Sequence, residues 1–251
     1  MLRSPTKPDA DFVPSPRELI HAHPWTAAGV LAPTLGCWLL LYWGATHMDS
    51  PAAQLTMPMS DWSAANWLAV FVMWAVMMAA MMLPSVAPMV LCFANLNRRR
   101  SEGARTLIFV AAYLALWTAF SGAATAAQWA LQSADWVSPM IVSTSPTLSG
   151  TLLLIAGVFQ FTRLKSACLR TCRSPLGFLM SDWRDGLWGA WRMGLRHGLN
   201  CLGCCWALMA LLFVGGVMNI LWIAALTVLV AMEKVAPKGQ KEKRSRRRWA
   251  S

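Results

Sequence analysis

Charge is scarce in this sequence. Asp, Glu, Lys and Arg together make 13% of the 251 residues, about half the share usual in a soluble domain, which excludes an ordinary water-soluble globular fold. Histidine is scarcer still, four residues in all, and the eleven carboxylates are spread thinly. No nucleophile, base and acid fall together in the pattern, so a hydrolase is not the expected class. The first twenty residues are polar and proline-rich, with no short apolar run before a small-residue site, and predict no cleavable signal. No internal repeat is visible. What fills the chain instead is apolar: 57% of residues are hydrophobic and the mean hydropathy is +0.45.

The apolar residues gather into runs long enough to cross a hydrocarbon core, which takes about 20 residues per helix. Six segments result: 25–47, 67–93, 106–131, 148–161, 197–215 and 219–233. The last two form one stretch of about 35 residues, roughly 50 Å as a single helix. The break is placed between Gly215 and Asn219, giving two short spans or a re-entrant hairpin. All 22 positive charges then fall on one side if both termini are cytoplasmic, while the opposite loops carry only Asp49, Asp61 and Asp135. The expected fold is therefore all-α: a polytopic transmembrane helix bundle of six spans with both termini inside. A polar arm (1–24) precedes the bundle (25–235), and a basic tail (236–251) follows it. Residues 176–195 read as an interfacial amphipathic helix, with Trp183, Leu187 and Trp191 on its apolar stripe. The tail is expected to be disordered and to bind anionic lipid; no folded module surrounds its basic run, so nucleic acid is not an expected partner.

Sulfur is the second abundance. Between Met73 and Met89 the chain reads MWAVMMAAMMLPSVAPM. Met73, Met77 and Met81 recur at steps of four, and Met78, Met82, Ser85 and Met89 at four, three and four, so they stack on one broad helix face. Thioethers fill irregular space around Pro84 and Pro88, and they are also soft ligands suited to Cu(I). Packing is the favoured account of the stripe taken alone. Six of the seven cysteines, however, gather at its cytoplasmic end: Cys92, Cys168, Cys172, Cys201, Cys204 and Cys205. Within RHGLNCLGCCWALM, the residues His197, Cys201, Cys205 and Met209 form one ladder at steps of four, flanked by Cys204. Thiolate, imidazole and thioether together favour Cu(I) first and Zn(II) second. Glu233 either supports His197 or pairs with Lys234 or a loop arginine. On the outer side His47, Met48, Met57 and Met59 form a weaker set for metal capture.

The runs MWAVMMAAMMLPSVAPMVL, FQFTRLKSACLRTCRSPLGFL and GLRHGLNCLGCCWALMALLFVGGVMNILWIAALTVLVAMEKVAP resemble a bacterial family of predicted metal-binding integral membrane proteins. The resemblance covers the chain from about Trp67 to Pro237, with FQFTRLK standing where the family pattern reads YQ-x-TPLK. It implies a metal-binding multi-pass protein of the bacterial inner membrane, with copper supply to copper enzymes the role proposed for some members. Two other classes stay open. Cys201-Leu-Gly-Cys204 is a CxxC that, at a helix start, would suit thiol–disulfide chemistry, although no outer cysteine pair stands ready to exchange with it. A structural or assembly subunit of a membrane complex would use Gly157, Gly215 and Gly216 for close helix approach.

Overall fold

The computed structural model describes residues 20–59, 61–97, 102–139 and 141–235. The tail placed on lipid, the arginines at 98–100 and most of the amino-terminal arm lie outside the described residues. Within them the chain is helical, with no strand and one isolated bridge between Val137 and Ser143. In chain order the helices are α1 (Pro24–Thr46), α2 (Pro51–Leu55), α3 (Ala64–Leu96), α4 (Glu102–Ser133) and α5 (Pro146–Gln160). There follow α6 (Arg163–Cys172), α7 (Pro175–Asp182), α8 (Gly186–Ala210), α9 (Leu212–Gly215) and α10 (Ile220–Val235).

Local chemistry sets many of these boundaries. Proline occupies the first turn of α1, α2, α5 and α7, where its missing N–H costs no hydrogen bond. Ser63 caps α3 in a reciprocal box with Asn66, Ser145 caps α5 through Leu148 N, and Thr162 caps α6 through Lys165 N. Inside α3 the prolines do not end the helix, which runs unbroken for 33 residues across Pro84 and Pro88. Pro84 cannot donate to the carbonyl of Ala80. The Trp38 indole does so instead, at 3.1 Å, and this bond fastens α1 to α3.

Among the described residues four helices are long and apolar enough to cross a membrane: α1, α3, α4 and the run Gly186–Gly215. A fifth crossing is available if α5 and α6, bent by 66°, act as one broken span. The two segments expected at 148–161 and 219–233 appear as α5, 15 residues, and α10, 16 residues, or about 22 to 24 Å each. Trp62, Trp67 and Trp129 meet at the far ends of α3 and α4, with ring centroids 5.0 and 5.9 Å apart, as an interfacial aromatic group would.

One expectation is corrected. Residues 176–195 do not form a single amphipathic helix. α7 stops at Asp182, and α8 starts at Gly186 and runs on into the apolar 197–210 segment. Two forces break the stripe. Gly186 takes a left-handed φ of 77°, which favours glycine. Trp183 also leaves the surface: its ring lies 5.7 Å from Phe93 and stacks under Arg105, whose guanidinium donates to the carbonyl of Arg184 at 2.9 Å. Leu187 and Trp188, just beyond the break, are exposed.

The core lies where α3, α4 and α8 meet. α8 approaches α4 at Gly194 and Gly198, where an added Cβ would press on Phe109, Ala112 and Leu116. This is the small-xxx-small spacing by which membrane helices pack closely. Gly157, expected to serve that purpose, has open space around it, whereas Gly215 sits against the ring of Trp222 and Gly216 turns the chain at φ 82°.

Candidate metal centre

Close approach of α4 to α8 brings the Tyr113 hydroxyl 3.1 Å from the Cys201 sulfur. The Lys234 ammonium, at the end of α10, reaches the same sulfur at 3.1 Å and the Ser85 hydroxyl of α3 at 2.7 Å. Ser85 in turn donates to the carbonyl of Met82 at 2.8 Å, and Tyr113 also reaches that carbonyl, at 3.4 Å. Four helices thus converge on Cys201, which is fully buried. An ammonium beside a buried sulfur supplies the opposite charge that a thiolate needs away from water.

The neighbouring thiols join this point from two helices. Cys204 and Cys205 are buried on α8, and Cys172, at the end of α6, interacts with both Cys201 and Cys204. Cys168 packs against Gly203, where a Cβ would meet its sulfur at 2.8 Å. Glycine at 203 is what lets α6 lie this close. His197, one turn before Cys201, is buried between Phe109, Tyr113 and Phe178, with ring centroids 5.5 to 6.1 Å away. Its Nδ1 has no hydrogen-bond partner among the described residues, as a nitrogen held for a ligand would have none.

The sulfurs do not all face one point. Cys204 and Cys205 each donate to the carbonyl of Cys201, at 3.0 and 2.9 Å, so their thiols are turned back along their own helix. Among the described residues, no three His, Cys, Asp or Glu side chains are aimed together at one ion position. Rotation about χ1 at Cys204 or Cys205 swings the sulfur off its own backbone at the cost of one weak hydrogen bond. The donor set, soft sulfur with one imidazole, fits a monovalent soft ion in chemistry.

Other expected residues divide clearly. Met77, Met78, Met81 and Met82 are fully buried, as are Met89 and Met209 to within 2%, whereas Met73 is only half-buried. Cys92 is buried on α3, but among the described residues no interaction joins it to the α8 thiols, so it falls outside the cluster. His47 bonds to Trp43 O and Thr46 and stacks on the Trp43 ring, while Met59 is 86% exposed. Glu233 pairs with neither His197 nor Lys234. Its carboxylate holds Lys165 at 2.7 Å, and its carbonyl accepts from Arg173 at 2.6 Å, which ties α6 to α10.

The CxxC reading loses its premise. Cys201 stands deep inside α8, which begins at Gly186, so the helix terminus is about 22 Å away and its dipole does not act on the thiol. All seven cysteines are free.

Residues 71–246 match the family described as PpoB2, copper chaperone. The chain belongs to this family. The matched range covers the methionine stripe, α6, α8 and Lys234. No curated protein and no solved structure matches the chain.

The sequence reading missed Tyr113 and Lys234. Tyr113 is one of only two tyrosines, and a rare phenol inside an apolar run was a signal that went unused. Lys234 entered only as a possible partner of Glu233; that it turns inward to Cys201 depends on how α10 packs.

Proposed function

We propose that this protein binds Cu(I) within the bilayer and hands it to a copper enzyme. The observation that carries the reading is the Cys201 sulfur, held between Tyr113 and Lys234 with Cys172, Cys204 and Cys205 around it and the unpartnered Nδ1 of His197 one turn away. Copper enters here as cargo. His197, Cys201, Cys204, Cys205 and Cys172 form the holding site, and Cys168 stands beside it as an exit or entry thiol. The buried run Met77, Met78, Met81, Met82 on α3 is the approach, since thioethers bind Cu(I) without the charge that would trap it. Lys234 balances a second thiolate: one copper and two thiolates carry a net charge of −1, which the ammonium cancels in a medium of low dielectric. Zinc, which favours four fixed ligands, fits this set less well.

Membership of a copper-chaperone family supports the cargo, and helices able to cross a membrane support the location. The inner membrane, the cytoplasmic termini and the lipid contact of the tail belong to the same proposal. Protein purified without oxygen should carry copper that changing Cys201, Cys204 and Cys205 to Ser removes. Equal copper in both proteins, or none above background in either, refutes the assignment.

A further inference from the structure

The outward face of α8 carries positive charge beside leucine. Trp188, Arg192, Leu195, Leu199, Leu202 and Trp206 recur at steps of four, three, four, three and four, which makes them one stripe along the helix. Trp188 is 70% exposed and Leu199 56%, whereas His197, Cys201 and Cys205 on the opposite face are buried. An exposed tryptophan at the start of an apolar helix marks the level of a membrane interface. Arg192 stands one turn further in, about 6 Å along the axis, and from Leu195 to Trp206 the stripe is apolar. A charge at that depth is costly unless it finds a counter-charge.

The protein does not supply that counter-charge. Among the described residues the ion pairs are Lys165 with Glu233 and Arg196 with Asp182, and the guanidiniums of Arg184 and Arg192 have no partner. Arg184, Arg192 and Arg196 line one cleft of about 410 Å³, in which Asp182 is the carboxylate and Leu195 and Leu199 form an apolar wall. Three positive charges face one negative charge, so two are uncancelled. The cleft has the volume of a small-ligand site, and its two halves ask for different chemistry. Guanidinium forks bind phosphate oxygens in pairs, while the leucines take hydrocarbon. A free phosphate would leave the leucine wall uncovered, and an acidic protein surface would meet leucines at membrane depth. A phospholipid carries both parts, and basic pockets at the ends of membrane helices suit anionic headgroups.

We propose that the cleft between Arg184, Arg192 and Arg196 binds the phosphate of an anionic phospholipid, whose acyl chain lies along Leu195 and Leu199. The inference rests on the reading that α8 crosses the bilayer, and it is independent of copper. Arg184 belongs to the break after α7 and Arg192 to α8, so one phosphate held by both fastens that corner. α7 is the helix that sets Phe178 against His197, and the bound lipid therefore steadies one wall of the candidate metal centre.

The test uses metal-free full-length protein in detergent, melted with added phosphatidylglycerol or phosphatidylcholine. Phosphatidylglycerol should raise the wild-type midpoint by about 4 °C more than phosphatidylcholine does. Arg184→Gln/Arg192→Gln should lose at least half of that gain, while Arg170→Gln, an exposed arginine outside the cleft, keeps it. The basic tail is present in every variant, so its own lipid contact cancels. Arg192→Gln alone serves if the double variant fails to fold. An equal gain in wild type and variant places the lipid elsewhere, and glycerol phosphate giving the full shift makes the cleft a free-anion site; either result overturns the proposal. Copper content and membrane fractionation are read on separate samples, so failure of the lipid site is distinguishable from failure of the copper or membrane reading.

Discussion

Gly194→Ala should disturb the candidate site from a distance, and its size can be worked from the packing. The new Cβ would stand 2.8 Å from Cβ of Ala112 and closer still to the carbonyl oxygen of Phe109. Carbon atoms rest about 3.5 to 4.0 Å apart, so α8 must move off α4 by about 1 Å. Tyr113 lies one turn beyond Phe109. The same opening stretches its 3.1 Å contact with Cys201 to about 4 Å and ends it as a hydrogen bond. Overpacking of this kind costs about 1 to 3 kcal/mol, here near the upper end because the obstacle is backbone. Alanine returns up to about 1 kcal/mol of helix propensity, leaving about 2 kcal/mol of net destabilisation. Gly157→Ala is the control: nothing lies within 4 Å of its Cβ, so only the propensity gain remains and the sign reverses. Tryptophan fluorescence during denaturation in detergent reads both. Shifts of the same sign for the two variants, or an unchanged midpoint for Gly194→Ala, refute the claim that α4 and α8 touch through Gly194.

Lys165→Met strands the Glu233 carboxylate in a largely buried position and should lower stability by about 3 kcal/mol, with Lys165→Met/Glu233→Met recovering most of it; a denaturation series with both variants checks the order. Lys234→Met removes the ammonium that contacts Cys201, so Cu(I) affinity measured against a coloured chelator should fall at least tenfold while Lys234→Arg retains part of it, and an unchanged affinity contradicts charge balance. Met77→Leu/Met81→Leu conserves volume and should cost under about 1.5 kcal/mol, yet slow copper loading in stopped-flow without changing the final content; equal loading rates return the stripe to plain packing.

Periodicity and charge made much of the fold legible. Steps of three and four marked the helices, and the long apolar runs marked α1, α3, α4 and α8. The ladder from His197 to Met209 was readable because helical spacing is local, so its members share one face of α8 whatever packs against them. Three things were not readable. The break at Trp183–Asp185 comes from a tertiary contact, Arg105 on Trp183, with no local signature beyond Gly186. Cys92 and Cys172 look equivalent in sequence, both at helix ends near the basic side. Only the packing of α6 on α8 through Gly203 brings Cys172 to Cys201 while Cys92 stays apart. Tyr113 and Lys234 meet the thiol through α4 and α10, elements far from it in sequence, so no spacing rule could join them.

The most direct test of the central claim is X-ray absorption at the copper edge on protein loaded with Cu(I) without oxygen. A first shell dominated by sulfur is expected, losing sulfur neighbours when Cys201 is changed to Ser and again when Cys172 is changed. A shell of nitrogen or oxygen alone, or a spectrum that ignores both changes, would mean that copper is held elsewhere and that the group around Cys201 is not the site.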